Sequence, residues 1–529
     1  PEDFSFGEFQ ENFEHFEPFL SSAIKRFPVL ETAGIRKFFS GPESFTPDTN
    51  TLLGEVPEVK NFFVCCGLNS IGIGSGGGVG KVTAEWLING HINEDIFSYD
   101  IKRFQKFHSE LGFIKKRITE SLGDLYGMHW PFKQHKTSRN IKKLPHHDNL
   151  KSFGACFGVS GGYERPMWFA LDGNKTEYEY SYNYQCWYPS AEYETNNTIK
   201  NVGLYDLTPF SKFEIKSDNA HQELQKICTA NIKNEVGRCT YTHMLNIDGG
   251  IETDVTVVCV EKNYFRIISS AATRERDKFH IKKYLSKGVE IKDVTDNFCV
   301  FGLFGPKSRD LIKTISNDDF DNDKFRFGTA KYITIDNVKI WSQRMSYVGE
   351  LGYELYVEFK DAKKIYELIT NKGKDFNLSN CGMHAMDIMR MESGFLHWGH
   401  DISPEENQYE AGLDFAISFK KDFDFIGKKA LKNIKTKNRF LMFVLKDSKP
   451  GKPLLLHDEP IYLEDEIVGR TTSGHYSFNY KKNLSFGYVK SKYKIEDLHN
   501  GNLYIEIEKK KYPVDIQIKP LKDKSYQQL

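Results

Sequence analysis

The chain has 529 residues, too many for one ordinary core, so roughly two to four domains are expected. Lys+Arg and Asp+Glu balance at 72 each, which argues against a polyanion binder with a protein-wide basic face, nucleic-acid binders included. No run approaches about eighteen apolar residues, so no helical membrane span is expected, and nine cysteines with no C-x-x-C fit buried reduced thiols better than a disulfide framework or a zinc site.

Pro1-Glu2-Asp3-Phe4 is acidic and aromatic, unlike a signal or transit peptide. Residues 9–27 read as an amphipathic helix with Phe9, Phe13, Phe16, Phe19 and Leu20 on one face. A turn-rich loop, Gly41-Pro42-Glu43-Ser44-Phe45-Thr46-Pro47-Asp48, leads to a short strand at 61–66, a glycine-dense loop at 67–80 and a helix through Trp86-Leu87. Residues 101–150 mix short helices with a basic, Pro-containing loop. From about Asn201 strands alternate with helices: a strand at 213–215, a helix at 222–228, a strand at 255–260, a helix at 307–315 and a longer one at 383–396. After a Lys/Asn-rich linker at 432–438, the tail 439–520 is strand-dominated and reads as a small β domain.

Gly72-Ile73-Gly74-Ser75-Gly76-Gly77 matches G-x-G-x-x-G after a strand, the dinucleotide fingerprint. That fingerprint needs a second strand ending in an acid, and Ile92-Asn93-Glu94-Asp95 supplies no apolar run. A Walker loop is excluded by Ser75 in place of its first Gly and by Val82 in place of Ser/Thr. What survives is a helix N-terminus with free N–H groups facing something anionic, a flavin ring edge or a phosphate; close helix–sheet packing is the bland alternative.

Ser346-Tyr347-Val348-Gly349-Glu350-Leu351-Gly352-Tyr353-Glu354 lies between strand-like runs at 339–345 and 353–359. Gly349 and Gly352 permit a tight turn or close approach, and Tyr347, Glu350 and Glu354 cluster there. Alone, the segment reads as a hairpin with solvated acids. Arg390 follows Asp387 by three residues, an ion-pair spacing on a helix. His397 and His400 lack a third ligand and read as packing or loop residues, so no metal is expected; Lys509-Lys510-Lys511 reads as a solvated strand edge.

The segments Gly41–Asp48, Leu53-Gly54-Glu55, Gly67-Leu68-Asn69-Ser70 and Gly76-Gly77-Gly78-Val79-Gly80-Lys81, with Gly162-Tyr163-Glu164-Arg165-Pro166-Met167-Trp168-Phe169, resemble the amine-oxidising flavoproteins of the sarcosine and dimethylglycine dehydrogenase family. The resemblance implies FAD contacts from Thr46, Pro47, Asp48, Asn69, Gly72, Gly74, Gly76 and Gly77. It also implies that the family's dinucleotide fingerprint and flavin-attaching histidine lie upstream of the region matching Pro1, so the chain is expected to be the C-terminal portion of a longer protein. Gly74 falls where simpler amine oxidases carry a lysine for the substrate carboxylate, which would have to be bound from elsewhere.

Residues 201–520 resemble the glycine-cleavage aminomethyltransferase through Asp206-Leu207-Thr208-Pro209-Phe210, Gly249-Gly250-Ile251-Glu252-Thr253-Asp254, Tyr347…Glu354, Asp387-Ile388-Met389-Arg390-Met391-Glu392, Phe425-Ile426-Gly427-Lys428 and Val468-Gly469-Arg470-Thr471-Thr472-Ser473-Gly474. The resemblance implies a tetrahydrofolate cavity in which Tyr347 and Glu354 hold the pteridine, Asp254 is the catalytic acid beside the reacting nitrogens, and Arg390 either pairs with Asp387 or helps build the pocket. Glu350 is expected only to shape the turn.

The expected architecture is α+β and multidomain: 1–100, the C-terminal part of an FAD domain; 101–165, a connecting domain; 166–432, an aminomethyltransferase-like folate domain; 433–529, a barrel-like β domain. The expected function is oxidative demethylation of an N-methyl amine of sarcosine or dimethylglycine type with FAD, the one-carbon unit passing to tetrahydrofolate to give 5,10-methylenetetrahydrofolate. An electron acceptor is implied. The expected location is cytoplasmic in a bacterium or the mitochondrial matrix in a eukaryote. Two rivals share the layout: a non-catalytic subunit like the pyruvate dehydrogenase phosphatase regulatory subunit, and a stand-alone folate-dependent aminomethyltransferase. Retention of Asp254, Tyr347 and Glu354 leans towards the enzyme.

Overall fold

The computed structural model describes residues 7–173 and 175–529; the acidic, aromatic Pro1-Glu2-Asp3-Phe4 lies outside them. The first helix is Phe13–Arg26, starting later than its phenylalanine periodicity suggests because Asn12 caps it, accepting from His15 N at 2.8 Å. Phe9 instead bridges to Ser40 through its backbone. The strands Leu52–Glu55 and Phe63–Cys66 pair antiparallel. The expected glycine loop at 67–80 is a loop only to Ile71: the helix runs Gly72–Asn89 and includes every glycine of the stretch but Gly67. Asn69 and Ser70, at φ +50° and +65°, turn the chain into it, and the Val79–Leu87 half propagates it despite about 1 kcal/mol per interior glycine. Trp86 anchors this helix against Gly54, where a Cβ would lie 2.5 Å from the indole.

The centre of the molecule is a pair of sheets. One has five strands in the order Ile291–Asp293, Ser211–Lys216, Tyr264–Ser269, Ile251–Glu261, Cys239–Leu245. The other has six, in the order Thr329–Ile335, Val338–Arg344, Gly352–Glu358, Phe298–Phe304, Val202–Asp206, Leu378–Cys381. Only the last pair is parallel. The sheets meet through one apolar cluster that includes Cys239, Val258, Val300, Trp341, Tyr356 and Met389. Backbone bonds Ala330 N to Gly237 O and Cys239 N to Gly328 O tie their edges.

Each outer face has its own core. The helix Ala220–Ile227 contributes Leu224 and Ile227 to one; the helices Ser308–Lys313 and Ala362–Gly373 contribute Leu311, Ile365 and Ile369 to the other. Burial on both faces explains why Phe298–Phe304 is almost continuously apolar.

The helix expected at 383–396 ends at Glu392, because Ser393 caps it and Gly394 at φ +71° reverses the chain. Beyond it, six strands between Asn438 and Gln517 close into a barrel, which leaves no unpaired edge. In the lysine run at 509–511, Lys509 completes a two-residue hairpin turn with Glu508, at φ of +63° and +50°, while Lys510 and Lys511 are exposed and open the strand Lys510–Gln517, Lys511 reaching Asp465 at 3.2 Å. All nine cysteines are free thiols; Cys65 and Cys66 are exposed. Among the described residues no helix is long and apolar enough to cross a membrane.

Candidate functional site

The strand Cys239–Leu245 organises the site. Alternation puts Cys239, Tyr241 and His243 on one face. Asp254 sits directly opposite His243 on Ile251–Glu261, on the same side of the sheet. The Tyr241 hydroxyl reaches Asp254 Oδ2 at 3.2 Å. Asp254 is half-buried. Desolvation pushes its carboxyl up to about 6 despite that hydrogen bond.

Glu354 comes from the facing sheet. Gly352–Glu358 pairs with Val338–Arg344 so that Gln343 lies opposite Glu354 and Trp341 opposite Tyr356. Desolvation pushes Glu354 up to about 7, opposed by the Tyr356 hydroxyl at 3.0 Å and by the charge of Lys212. Lys212 has no acid within ion-pair distance among the described residues and donates instead to the Thr208 and Phe210 carbonyls at 2.8 and 2.7 Å; burial lowers it to about 7. Gln343 Nε2 is buried without a partner. The Gln343–Glu354 pair thus offers a free donor beside a carboxylate acceptor, the complement of a ring edge carrying a carbonyl next to N–H groups.

Tyr347 lies in the loop between those two strands, its ring stacked on Phe395 at 5.7 Å and its hydroxyl donating to Leu396 O at 2.9 Å. Two glycines shape this loop. Gly349 has φ +70°, and a Cβ on Gly352 would lie 2.5 Å from Met345 O and from the Phe304 ring. Glu350, expected only to shape the turn, does more: it ion-pairs with Lys522 of the C-terminal segment.

The sequence-predicted residues therefore converge in part. The Tyr241 phenol is raised by burial first, then by the charges of Asp254 and Tyr347; the Cys239 thiol is raised by burial and then by Glu354. Asp254, Tyr347 and Glu354 thus border one line of side chains along the inner face of Cys239–Leu245.

Arg390 stands behind this group, 2% exposed. It donates to Asp387 at 2.7 Å, Asp401 at 2.6 Å, Phe395 O at 3.2 Å and Ser473 at 2.9 Å. The i,i+3 pair is present, and the same guanidinium ties the helix to the barrel. His397 and His400 sit with rings 4.7 Å apart, and His397 N donates to Asp401.

Residues 46–77 form a separate cluster. Thr46 N donates to Asn69 Oδ1 at 2.8 Å, Asp48 pairs with Arg103 at 2.6 Å, and Pro47 O accepts from Ser121 at 2.7 Å. These side chains knit the loop to its neighbours. Gly72 packs against Leu68, whereas Gly74, Gly76 and Gly77 have nothing within 4 Å of a built Cβ. The first turns of that helix are therefore open to a planar group. Glu120, Asp124 and His135 bring ligand atoms within 4.8 Å of one another, but Glu120 already accepts from Lys136 N and Thr137.

Sequence reasoning missed Tyr241, His243, Gln343 and Gln408. The first two carried a signal, a Tyr-x-His alternation on a strand; the glutamines are found only through register and tertiary contact.

Comparison with known proteins fits this geometry. Four family models match in succession: FAD dependent oxidoreductase at residues 2–86, FAD dependent oxidoreductase central domain at 89–143, GCVT N-terminal domain at 146–421 and glycine cleavage T-protein C-terminal barrel domain at 438–523. The aminomethyltransferase T of Bartonella henselae shares the fold, with a TM-score of 0.61 at 18% identity over 72% of this chain and 98% of that one. The fold is thus that of a glycine-cleavage T-protein joined to an FAD-dependent oxidoreductase module.

Among curated relatives, 4-methylaminobutanoate oxidase (formaldehyde-forming) of Paenarthrobacter nicotinovorans is 35% identical over 98% of this chain and 62% of its own length. The mitochondrial pyruvate dehydrogenase phosphatase regulatory subunit of Mus musculus is 32% identical over 91% and 56%. Mitochondrial dimethylglycine dehydrogenase of Rattus norvegicus is 30% identical over 97% and 60%. The chain spans about 60% of the length of these relatives. It belongs to the dimethylglycine/sarcosine dehydrogenase family.

Proposed function

We propose that this chain serves a flavin-dependent N-methyl amine dehydrogenase of sarcosine or dimethylglycine type, and that its paired-sheet region captures the released one-carbon unit on tetrahydrofolate as 5,10-methylenetetrahydrofolate. The observation that carries the reading is the convergence of Asp254, Tyr347 and the Gln343–Glu354 pair along one inner strand face. Glu354 and Gln343 would hold the pteridine edge, Glu354 accepting from ring N–H groups and Gln343 Nε2 donating to the ring carbonyl. Tyr347 offers a ring face to the heterocycle. Asp254, raised to about 6, is suited to take and return a proton at the folate nitrogen that receives the carbon.

A bound flavin would supply the two-electron oxidation of the amine, with an external acceptor needed to take the electrons. The open glycine face at Gly74, Gly76 and Gly77 would lie against the ring, and Thr46, Pro47, Asp48 and Asn69 would hold the loop beside it. The 32% likeness to a phosphatase regulatory subunit favours a second reading, a non-catalytic folate-fold subunit. Calorimetry tests the folate site. The parent should bind tetrahydrofolate, and Glu354→Ala should weaken it about 10- to 100-fold, the loss of a charge-assisted hydrogen bond. Unchanged affinity in that variant would overturn the site, and a parent that binds folate without accelerating methylene-product formation over the spontaneous condensation with formaldehyde would favour the second reading.

A further inference from the structure

We propose that Gln408 and His243 form a directional relay that aims the Tyr241 hydroxyl hydrogen at Asp254, and that both are positioning residues of the proposed folate site. The inference rests on the reading of Asp254 given above.

The direction follows from donor counting. Thr229 Oγ1 lies 2.9 Å from Ala416 O, which can only accept, and 3.3 Å from both Thr242 Oγ1 and His243 N; with its hydrogen on the shorter contact to Ala416 O, its oxygen accepts from the other groups. Gln408 Nε2 lies 3.1 Å from that oxygen and 2.7 Å from His243 Nδ1. The amide presents its NH2 end to both, since a carbonyl oxygen turned towards Thr229 would face a lone pair; this leaves Gln408 Oε1 buried without a partner among the described residues. His243 Nδ1 accepts, which puts the ring hydrogen on Nε2, 3.2 Å from the Tyr241 oxygen. With its oxygen occupied as an acceptor, Tyr241 directs its own hydrogen to Asp254 Oδ2 at 3.2 Å.

Burial grades along the chain in the same direction. Thr229, Gln408 and His243 are buried, whereas Tyr241 and Asp254 are half-buried. Desolvation lowers His243 to about 3, so the ring stays neutral with a single hydrogen, as a one-way relay requires. A histidine that merely filled core space would need no such ordered series ending on a solvent-reaching acid. The other titratable groups facing Asp254 are Tyr347 in the 345–351 loop and Asp277, with Arg276 beside it, on the helix Arg274–Tyr284.

The relay sets the proton affinity of Asp254, and replacing Gln408 by Glu should invert it. A carboxylate can only accept, so it would draw the ring hydrogen to Nδ1; Nε2 would then take the Tyr241 hydrogen away from Asp254. Nitrogen NMR of labelled histidine in the full chain, with His243 assigned by difference from a His243→Asn variant, reads the tautomer directly. The parent should show the Nε2–H form and Gln408→Glu the Nδ1–H form. Carbon NMR of labelled aspartate should show the Asp254 midpoint rising by about one pH unit in Gln408→Glu, the equivalent of one lost hydrogen bond to a charged group. In a Tyr241→Phe background the same change should add much less, because only the through-space charge remains.

An Nδ1–H tautomer in the parent, a measurement that needs no variant, would overturn the relay. So would an equal shift in both backgrounds. A Glu354→Ala variant that binds tetrahydrofolate as tightly as the parent, in a protein whose tautomer and midpoints behave as stated, would overturn the folate reading and leave the relay standing.

Discussion

Arg390 offers a direct choice between two roles, pocket residue or structural node. Its partner Asp401 is 1% exposed and also accepts from Thr472 at 2.6 Å, Ser473 at 2.7 Å and His397 N at 2.9 Å. Asp387 keeps His475 at 2.8 Å whatever happens to the arginine. Burial works against the Asp387 charge, but Arg390 and then His475 outweigh it and hold the carboxyl well below its ordinary range.

Arg390→Met would leave Asp401 as a buried charge without a cation. Breaking a buried pair from one side costs about 3–5 kcal/mol, and the three remaining donors to Asp401 place this case near the lower end. Roughly 3 kcal/mol corresponds to a fall of about 6–12 °C in a thermal midpoint for a unit of a few hundred residues. Hydrogen exchange should quicken first at Thr471–His475, where the barrel strand meets this helix. Adding Asp401→Asn should recover more than half of the loss, because it removes the stranded charge. A variant that melts within a degree of the parent and loses only tetrahydrofolate binding would refute the node and make Arg390 a ligand.

Glu354→Gln should stabilise the protein at alkaline pH. The folded pKa of about 7 lies above the ordinary glutamate value, so the parent's stability is fully present below about pH 4.5 and declines as pH rises through 7. Denaturation midpoints of parent and variant should coincide near pH 4.5 and differ by about 1–3 kcal/mol at pH 8; parallel curves would refute the raised carboxyl. Gly352→Ala should cost roughly 2 kcal/mol, since its Cβ would meet a backbone oxygen and an aromatic ring at 2.5 Å. It should also weaken folate binding, measured by calorimetry, by tilting the strand that carries Glu354.

Much of the fold was legible because local pattern and tertiary context agree in it. The apolar run of Phe298–Phe304, the alternation in Ile251–Glu261 and the turn chemistry of the C-terminal tail each point one way, and the structure follows. The glycine run misled for a physical reason: propensity disfavours a helix at Gly72–Gly80, but the chain beyond it is a strong former docked through Trp86, and cooperativity extends it backwards. The end of the Met383–Glu392 helix was misjudged because its apolar period continues to Leu396, while Gly394 alone reverses the backbone.

The site divides the same way. Residues within one motif, Tyr347 and Glu354, could be singled out because the turn holds them at fixed spacing. Separating the two acids of that turn needed the structure's account of their surroundings. Glu350 has a lysine partner from the chain's last residues, a contact 172 positions away that no local pattern encodes. Glu354 has no cation in hydrogen-bond contact among the described residues; it has a tyrosine hydroxyl and an orphaned glutamine donor beside it, and its raised pKa records that deficit. An acid left short of compensation beside an unsatisfied donor is stable only at a cost, and a ligand that supplies an N–H and a carbonyl together would remove it. Of the two acids, that condition singles out Glu354, and it makes the Gln343–Glu354 pair rather than the turn itself the part of this segment that we propose for binding a heterocycle.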